Sequence, residues 1–205
     1  MRMIPQYQWR AWEAFVCFGE KPEFTKAECE SIIHLARTLR PEPARTGGTP
    51  AGEAADPKIR ASEIRWMKRT KQSKWIFERL AGVCNKTCPS WYPFHLSGFN
   101  EPLQITHYFG SEGGHYDWHQ DFGPAAQSTR KLSLVALLND RAEFKGGELE
   151  IMSVLGKEKA VRPFGNLLQQ GTVIAFPSWD HHRVTPVTEG ERWSLVTWVH
   201  GHPFV

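Results

Sequence analysis

The residues able to do chemistry gather in two short stretches. They are His115-Tyr116-Asp117-Trp118-His119-Gln120-Asp121 and Phe176-Pro177-Ser178-Trp179-Asp180-His181-His182-Arg183-Val184. In the first, His119 and Asp121 stand two apart, so on a β-strand both side chains leave one face. An imidazole from the second stretch, where His181 and His182 are adjacent, would complete a set of two histidines and one carboxylate. Such a set fills three neighbouring coordination positions of Fe(II) and leaves the others open. Two neutral imidazoles and one carboxylate also leave residual positive charge on the ion, which suits an anionic cosubstrate. Asp117 shares the parity of Asp121 and competes with it, paired with His115 or His119. Further on, Arg192 and Ser194 again share one face. A guanidinium beside a hydroxyl can grip a carboxylate, the guanidinium bidentately.

From about residue 103 to 201 the chain resembles the Fe(II)/2-oxoglutarate dioxygenases of the prolyl 4-hydroxylase type, in particular their bacterial and phage branch. The matching pieces stand in family order: Gln104 to Tyr108, Tyr116 to Asp121, Arg130-Lys131-Leu132-Ser133, Leu138-Asn139, Gly146-Gly147-Glu148-Leu149, Gly171-Thr172, Phe176-Pro177-Ser178, His182 to Val187, and Gly190-Glu191-Arg192. The first hundred residues share only a general layout with that family. The resemblance implies His119, Asp121 and His182 as metal ligands, because the family's last ligand precedes Arg-Val-x-Pro-Val. His181 is then expected to point outward or towards substrate, and Asp117 to sit at the rim. Related halogenases carry a small residue at the carboxylate position, so Asp121 favours hydroxylation over halogenation. Arg192 stands where collagen-type relatives use lysine to clamp the far carboxylate of 2-oxoglutarate. Ser194 would add a hydroxyl, and Tyr108 falls near a tyrosine that contacts the same cosubstrate.

The implied cofactors are Fe(II), 2-oxoglutarate as cosubstrate and O2, with ascorbate as an auxiliary reductant. The implied reaction is hydroxylation of an unactivated C–H bond, with succinate and CO2 as coproducts and a peptidyl prolyl residue as the default target. A nucleobase or a free small molecule is the alternative substrate class. A non-catalytic metal-binding jelly roll is the third reading.

These groups need elements to position them. Thr25 and Glu28 form a capping box, and Cys29, Ile32, Ile33, Ala36 and Leu39 mark one face of a helix ending near Leu39. A second amphipathic helix runs from Lys74 to Cys84, with Ser73 as N-cap. Strands are expected at Ser62–Met67, with Ile64 and Trp66 on one face, and at Phe94–Phe99, Leu103–Phe109 and the His119 stretch. Others follow at Leu132–Leu138, Gly147–Val154, Thr172–Phe176, His182–Val187 and Arg192–His200. The Leu132 strand is apolar throughout except for Ser133, so it should be buried on both faces. Residues 1–20 read as a strand or arm lying on the core, and 157–170 as a connection. Residues 40–58 hold four prolines and three glycines, which excludes a regular element and leaves a surface loop or a lid over substrate. Trp118 alternates away from the ligands and reads as core. Tyr116 fits ordinary packing, and Trp179 and Trp193 are candidates for the mouth of the site. The expected architecture is mostly β with supporting α: a double-stranded β-helix, or jelly roll, with the N-terminal helices packed on one sheet. Residues 1–205 would be one domain, with 1–100 as helical support and lid and 103–201 as the catalytic core.

Composition agrees with a single globular unit. The 205 residues are 40% hydrophobic and 23% charged, with nine Trp and twelve Phe to fill or line an interior. A net charge of +3 permits a nucleic-acid partner without arguing for one. The richest basic stretch, Arg65 to Lys74, reads as a solvated surface. Cys84 and Cys88 lack zinc-finger spacing, so the four cysteines read as free thiols. Neither a signal peptide nor an apolar run long enough to span a bilayer is visible, which makes the cytoplasm the expected location.

Overall fold

The computed structural model describes residues 17–18, 21–46, 55–91, 94–153, 160–163 and 168–202. The side chains of 17–18, 87–91, 153 and 160–163 lie outside the description. In chain order the elements are β1 (Cys17–Phe18), α1 (Lys26–Arg37), β2 (Glu42–Pro43), β3 (Arg60–Ala61), β4 (Glu63–Met67), α2 (Lys74–Trp91), β5 (Leu96–Gly98), β6 (Leu103–Phe109) and β7 (His115–His119). After these come β8 (Arg130–Leu137), β9 (Phe144–Gly146), β10 (Leu149–Ser153), β11 (Ala160–Pro163), β12 (Val173–Pro177), β13 (His182–Val184) and β14 (Val187–Gly201). The larger sheet runs β1-β12-β8-β14-β6-β4-β2, with β5 and β9 also paired to β14. The smaller sheet runs β11-β10-β13-β7-β3.

Two apolar cores sit on opposite faces of the larger sheet, and strand alternation assigns each residue to one of them. On β8, Leu132, Leu134 and Ala136 join α1 and α2 through Ile32, Ala36, Ile76 and Leu80. Between these positions, Val135 and Leu137 face the smaller sheet and meet Leu149, Ile151, Phe176 and Val184. β8 is therefore buried at every position, as its composition requires. The architecture is the expected mostly-β jelly roll with helices on the outside of one sheet.

The α1 capping box forms as the sequence dictates, with Thr25 Oγ1 accepting from the Glu28 N–H and Glu28 accepting from the Thr25 N–H. Glu28 also pairs with Arg79 of α2 at 2.7 Å, tying the two helices together. Other expectations need correction. The α1 helix stops at Arg37, not Leu39. Ser73 does not cap α2. Its hydroxyl turns back to accept from the Thr70 N–H at 2.9 Å and donate to Lys68 O at 2.6 Å. Thr70 Oγ1 accepts from the Ser73 N–H in return, so a capping-box exchange is centred three residues earlier. The 157–170 connection contains β11, paired with β10. The 40–58 stretch contributes β2 to the edge of the larger sheet. The centre of that stretch (47–54) and the arm at 1–16 and 19–20 lie outside the described residues. Trp118 is half-buried on the outer face of the smaller sheet under the Arg183 guanidinium, not in the core. Cys29 and Cys84 are buried, and burial pushes the Cys29 thiol up to about 12.

Candidate active site

β7 and β13 are antiparallel neighbours, and their register sets His119 directly opposite His182. The two ring centroids lie 4.1 Å apart. Asp121 arrives by a different route from the one expected. β7 ends at His119, and the N–H groups of Asp121 and Phe122 both donate to Ser178 O at 2.9 Å. This backbone anchor, not strand alternation, turns the carboxylate towards the imidazoles. Asp121 Oδ1 lies 3.8 Å from His119 Nε2, and Oδ2 lies 3.5 Å from His182 Nε2. The three ligand atoms fall within 4.8 Å of one another, the one such grouping among the described residues.

The surrounding hydrogen bonds prepare each atom for a metal. A carbonyl can only accept, so Nδ1 of each histidine carries the proton. His119 donates to Asp117 O at 2.8 Å and His182 to Asp180 O at 2.9 Å. Both Nε2 lone pairs are left facing Asp121. Ser133 Oγ donates to Asp121 Oδ2 at 2.6 Å and also meets Ser178 Oγ at 3.1 Å. Burial, reinforced by His182, holds the His119 imidazolium down at about 3. Burial pushes the Asp121 carboxyl up, but His182, His119 and the Ser133 hydroxyl outweigh it and set it at about 2. A neutral imidazole facing an ionised carboxylate is the protonation state that binds a divalent cation. The donor set therefore fits Fe(II).

The cavity in front of these ligands has a volume of about 560 Å³. Arg192 enters it from β14, where its register partner on β6 is Tyr108. Its side chain is 1% exposed, and Nη1 donates to Ser194 Oγ at 3.1 Å. Nε is buried without a partner, and Arg192 enters no ion pair among the described residues. Burial lowers its pKa, which marks an uncompensated charge. An isolated buried guanidinium is costly unless an anion completes it. The sequence makes room for it deliberately. Gly147 sits at φ +65°, and a Cβ there would lie 2.7 Å from Arg192 Cδ. Tyr108 places its ring 5.4 Å from the guanidinium, and Val135, Leu149, Val184 and Val196 supply apolar wall. A dicarboxylate bridging the metal ligands and Arg192 fits this arrangement.

Several other residues take places that spacing alone did not settle. Tyr116 stacks on His119, centroids 3.4 Å apart and planes 13° apart, with the Arg60 guanidinium 4.2 Å over its other face. His115 is engaged by Gly113 O and Lys58 O and stays out of the ligand cluster. The Asp117 side chain is exposed, yet its carbonyl holds His119. His181, just before β13, is exposed, while His182 is buried. Trp193 is buried against the helices, stacked on His107 at 3.7 Å, and so is no part of the mouth. Trp179 packs edge-on to Phe94. Sequence reading passed over Ser133, Ser178, Arg60 and Arg130. Ser133 had a signal: it is the one polar residue at an inward position of an apolar strand. Arg130, which donates to Asp121 O at 3.2 Å and pairs with Glu101, stood in a matched motif without a role. Nothing in local spacing marked Arg60.

Fold and site together define a jelly-roll protein in which a His-Asp-His cluster and a buried arginine share one cavity. Residues 103–200 match the family model of the 2OG-Fe(II) oxygenase superfamily. Among curated relatives, the PKHD-type hydroxylase of Hyphomonas neptunium is 37% identical over 92 residues, 43% of this chain and 38% of the relative. That of Teredinibacter turnerae is 38% identical over 92 residues, 42% of this chain and 38% of the relative. The chain thus spans about two fifths of the length of the curated relatives it matches. A Pseudomonas putida prolyl-4-hydroxylase has the same fold, with TM-score 0.68 and 18% identity over 92% of this chain and 93% of that one. So does a Trichoplax adhaerens prolyl hydroxylase solved with a hypoxia inducible factor peptide, with TM-score 0.71 and 17% identity over 92% and 84% of the two chains.

Proposed function

We propose that this chain is an Fe(II)- and 2-oxoglutarate-dependent dioxygenase that hydroxylates an unactivated C–H bond. Its first substrate class is a peptidyl prolyl residue, and succinate and CO2 are the coproducts. One observation carries the reading: a metal-ready His119-Asp121-His182 cluster shares a cavity with a fully buried Arg192 whose Nε has no hydrogen-bond partner. His119, Asp121 and His182 would hold Fe(II). Arg192, with Ser194 and Tyr108, would hold the far carboxylate of 2-oxoglutarate. When bound, iron and 2-oxoglutarate supply the activation of O2 and the cleavage of the C–H bond.

The chain's own residues set the conditions for that chemistry. The Asp117 and Asp180 carbonyls fix both imidazoles as Nδ1–H tautomers. Ser133 restrains one carboxylate oxygen of Asp121. Tyr116, clamped between Arg60 and His119, stops the exposed flank of the imidazole from rotating. The valine and leucine wall keeps water from the carboxylate clamp, which strengthens each polar contact within it.

The name hydroxylase carried by the relatives supports the reaction, and the peptide in complex with the Trichoplax enzyme supports a peptidyl substrate. Ascorbate as auxiliary reductant, a catalytic core over 103–201 and a support and lid region over 1–100 belong to the same reading. The test uses full chain with Fe(II), 2-oxoglutarate and O2 and a panel of proline-containing peptides, read by mass spectrometry. The expected result is one oxygen atom gained on proline with matching succinate. Succinate without an oxidised peptide would overturn the prolyl assignment, and no succinate at all would overturn the enzyme.

A further inference from the structure

Beside the active-site cavity lies a second groove of about 540 Å³, lined by Lys68, Arg69, Phe77, Phe99, Asn100 and Glu101 among others. Glu101 lines both spaces, so the groove continues the mouth of the site. Its charge is one-sided. Between Glu63 and Glu78 the chain carries no acid and five bases. Lys68 and Arg69, the two bases that line the groove, are exposed, and neither enters a salt bridge among the described residues. The nearby acids are already matched: Glu63 with Arg65, Glu78 with Lys74, and Glu101 with Arg130. The groove therefore presents unbalanced positive charge next to the metal centre.

Two features favour a polypeptide over a nucleic acid. Phe77 is 6% exposed and packs edge-to-face with Phe99 at 6.2 Å and 76°, so the pair offers no open stacking platform for bases. β5, at the groove wall, pairs with β14 and with no other described strand. Its remaining edge can add the backbone of an extended peptide.

We propose that this groove binds an acidic stretch of the polypeptide substrate, a short way along the chain from the residue presented to the metal. The inference rests on the reading of the site as a hydroxylase of peptidyl residues and names what that substrate carries. Exposed charge pairs contribute little singly, but two acting together amount to about tenfold in affinity.

The test is fluorescence anisotropy on the full chain with labelled peptides that share an Ala-Pro-Ala core and carry a Glu-rich or a Ser-rich flank on either side. A single-stranded thymidine oligomer is the competitor. The Glu-rich flank should tighten binding about tenfold, and added salt should erode the gain. The gain should disappear in Lys68→Glu/Arg69→Glu and in the charge-neutral Lys68→Gln/Arg69→Gln, both with unchanged thermal unfolding. Equal binding of the two flanks, a gain that survives in both variants, or preferential binding of the oligomer would each overturn the proposal. Succinate formation by the wild type, measured in parallel, reports on the oxygenase reading separately. A silent wild type that still prefers the acidic flank would support the groove and overturn the enzyme.

Discussion

His119 and His182 are held by one device used twice. Each ring donates from Nδ1 to the carbonyl two residues earlier, so the chain that delivers the ligand also fixes its tautomer. Arg192 is the complementary feature, a charge kept waiting for a partner. Arg192→Met keeps much of the volume and removes the buried charge. It should leave thermal stability unchanged or raised, while calorimetric titration of the metal-loaded protein shows 2-oxoglutarate affinity falling roughly 10- to 100-fold. Unchanged affinity would remove Arg192 from the clamp. Asp180 makes a different prediction. Burial raises its carboxyl from 3.8 to about 6. Between those values the native state holds more protons than the unfolded chain, so stability should fall as pH rises through that window. Denaturant midpoints in chelator should show a smaller loss between about pH 4 and pH 7 for Asp180→Asn than for the wild type. Residue types and spacing pointed to His119, Asp121 and Arg192, and the family pattern chose His182 over His181. Ser133 showed only as a polar break in an apolar strand, and the Arg60–Tyr116 stack depends on which strands become neighbours, which no local spacing encodes.

At the level of elements, periodicity was informative wherever one rule dominated. The α1 capping box and the two-faced burial of β8 follow from local chemistry, and both stand in the structure. Thr25→Ala should cost about 1 kcal/mol. In a chain of this size that lowers the melting temperature by roughly 2–4 °C, a shift that scanning calorimetry resolves. No shift would mean that the Glu28–Arg79 pair holds the helix start by itself. Elements whose ends depend on tertiary partners were harder to read. Asp121 passes the end of β7 because Ser178 O, some sixty residues away, captures its N–H. α2 starts at Lys74 as expected but runs on to Trp91 instead of ending at Cys84, and at its start Thr70 and Ser73, both competent caps, are tied to each other by hydrogen bonds. β2 and β11 are short edge strands formed by pairing, in segments whose composition reads as loop.

At the scale of the whole molecule, the larger sheet separates two functions. Its helix-covered face carries the bulk of the aliphatic core, and its inner face spares β6, β8 and β14 to carry Tyr108, Ser133, Arg192 and Ser194. Rigid strands, not loops, therefore carry Arg192 and Ser194, while His119 and His182 sit where β7 and β13 pair and Asp121 follows the end of β7. No described helix is long and apolar enough to cross a membrane. The central claim is that this arrangement consumes 2-oxoglutarate at a centre built on His182 and not on its neighbour. Succinate formation by anaerobically iron-loaded protein exposed to O2 tests it most directly, comparing wild type with His181→Ala and His182→Ala. The account predicts succinate from wild type and His181→Ala and none above background from His182→Ala. A wild type that forms no succinate, or a His182→Ala that keeps pace with it, would contradict it.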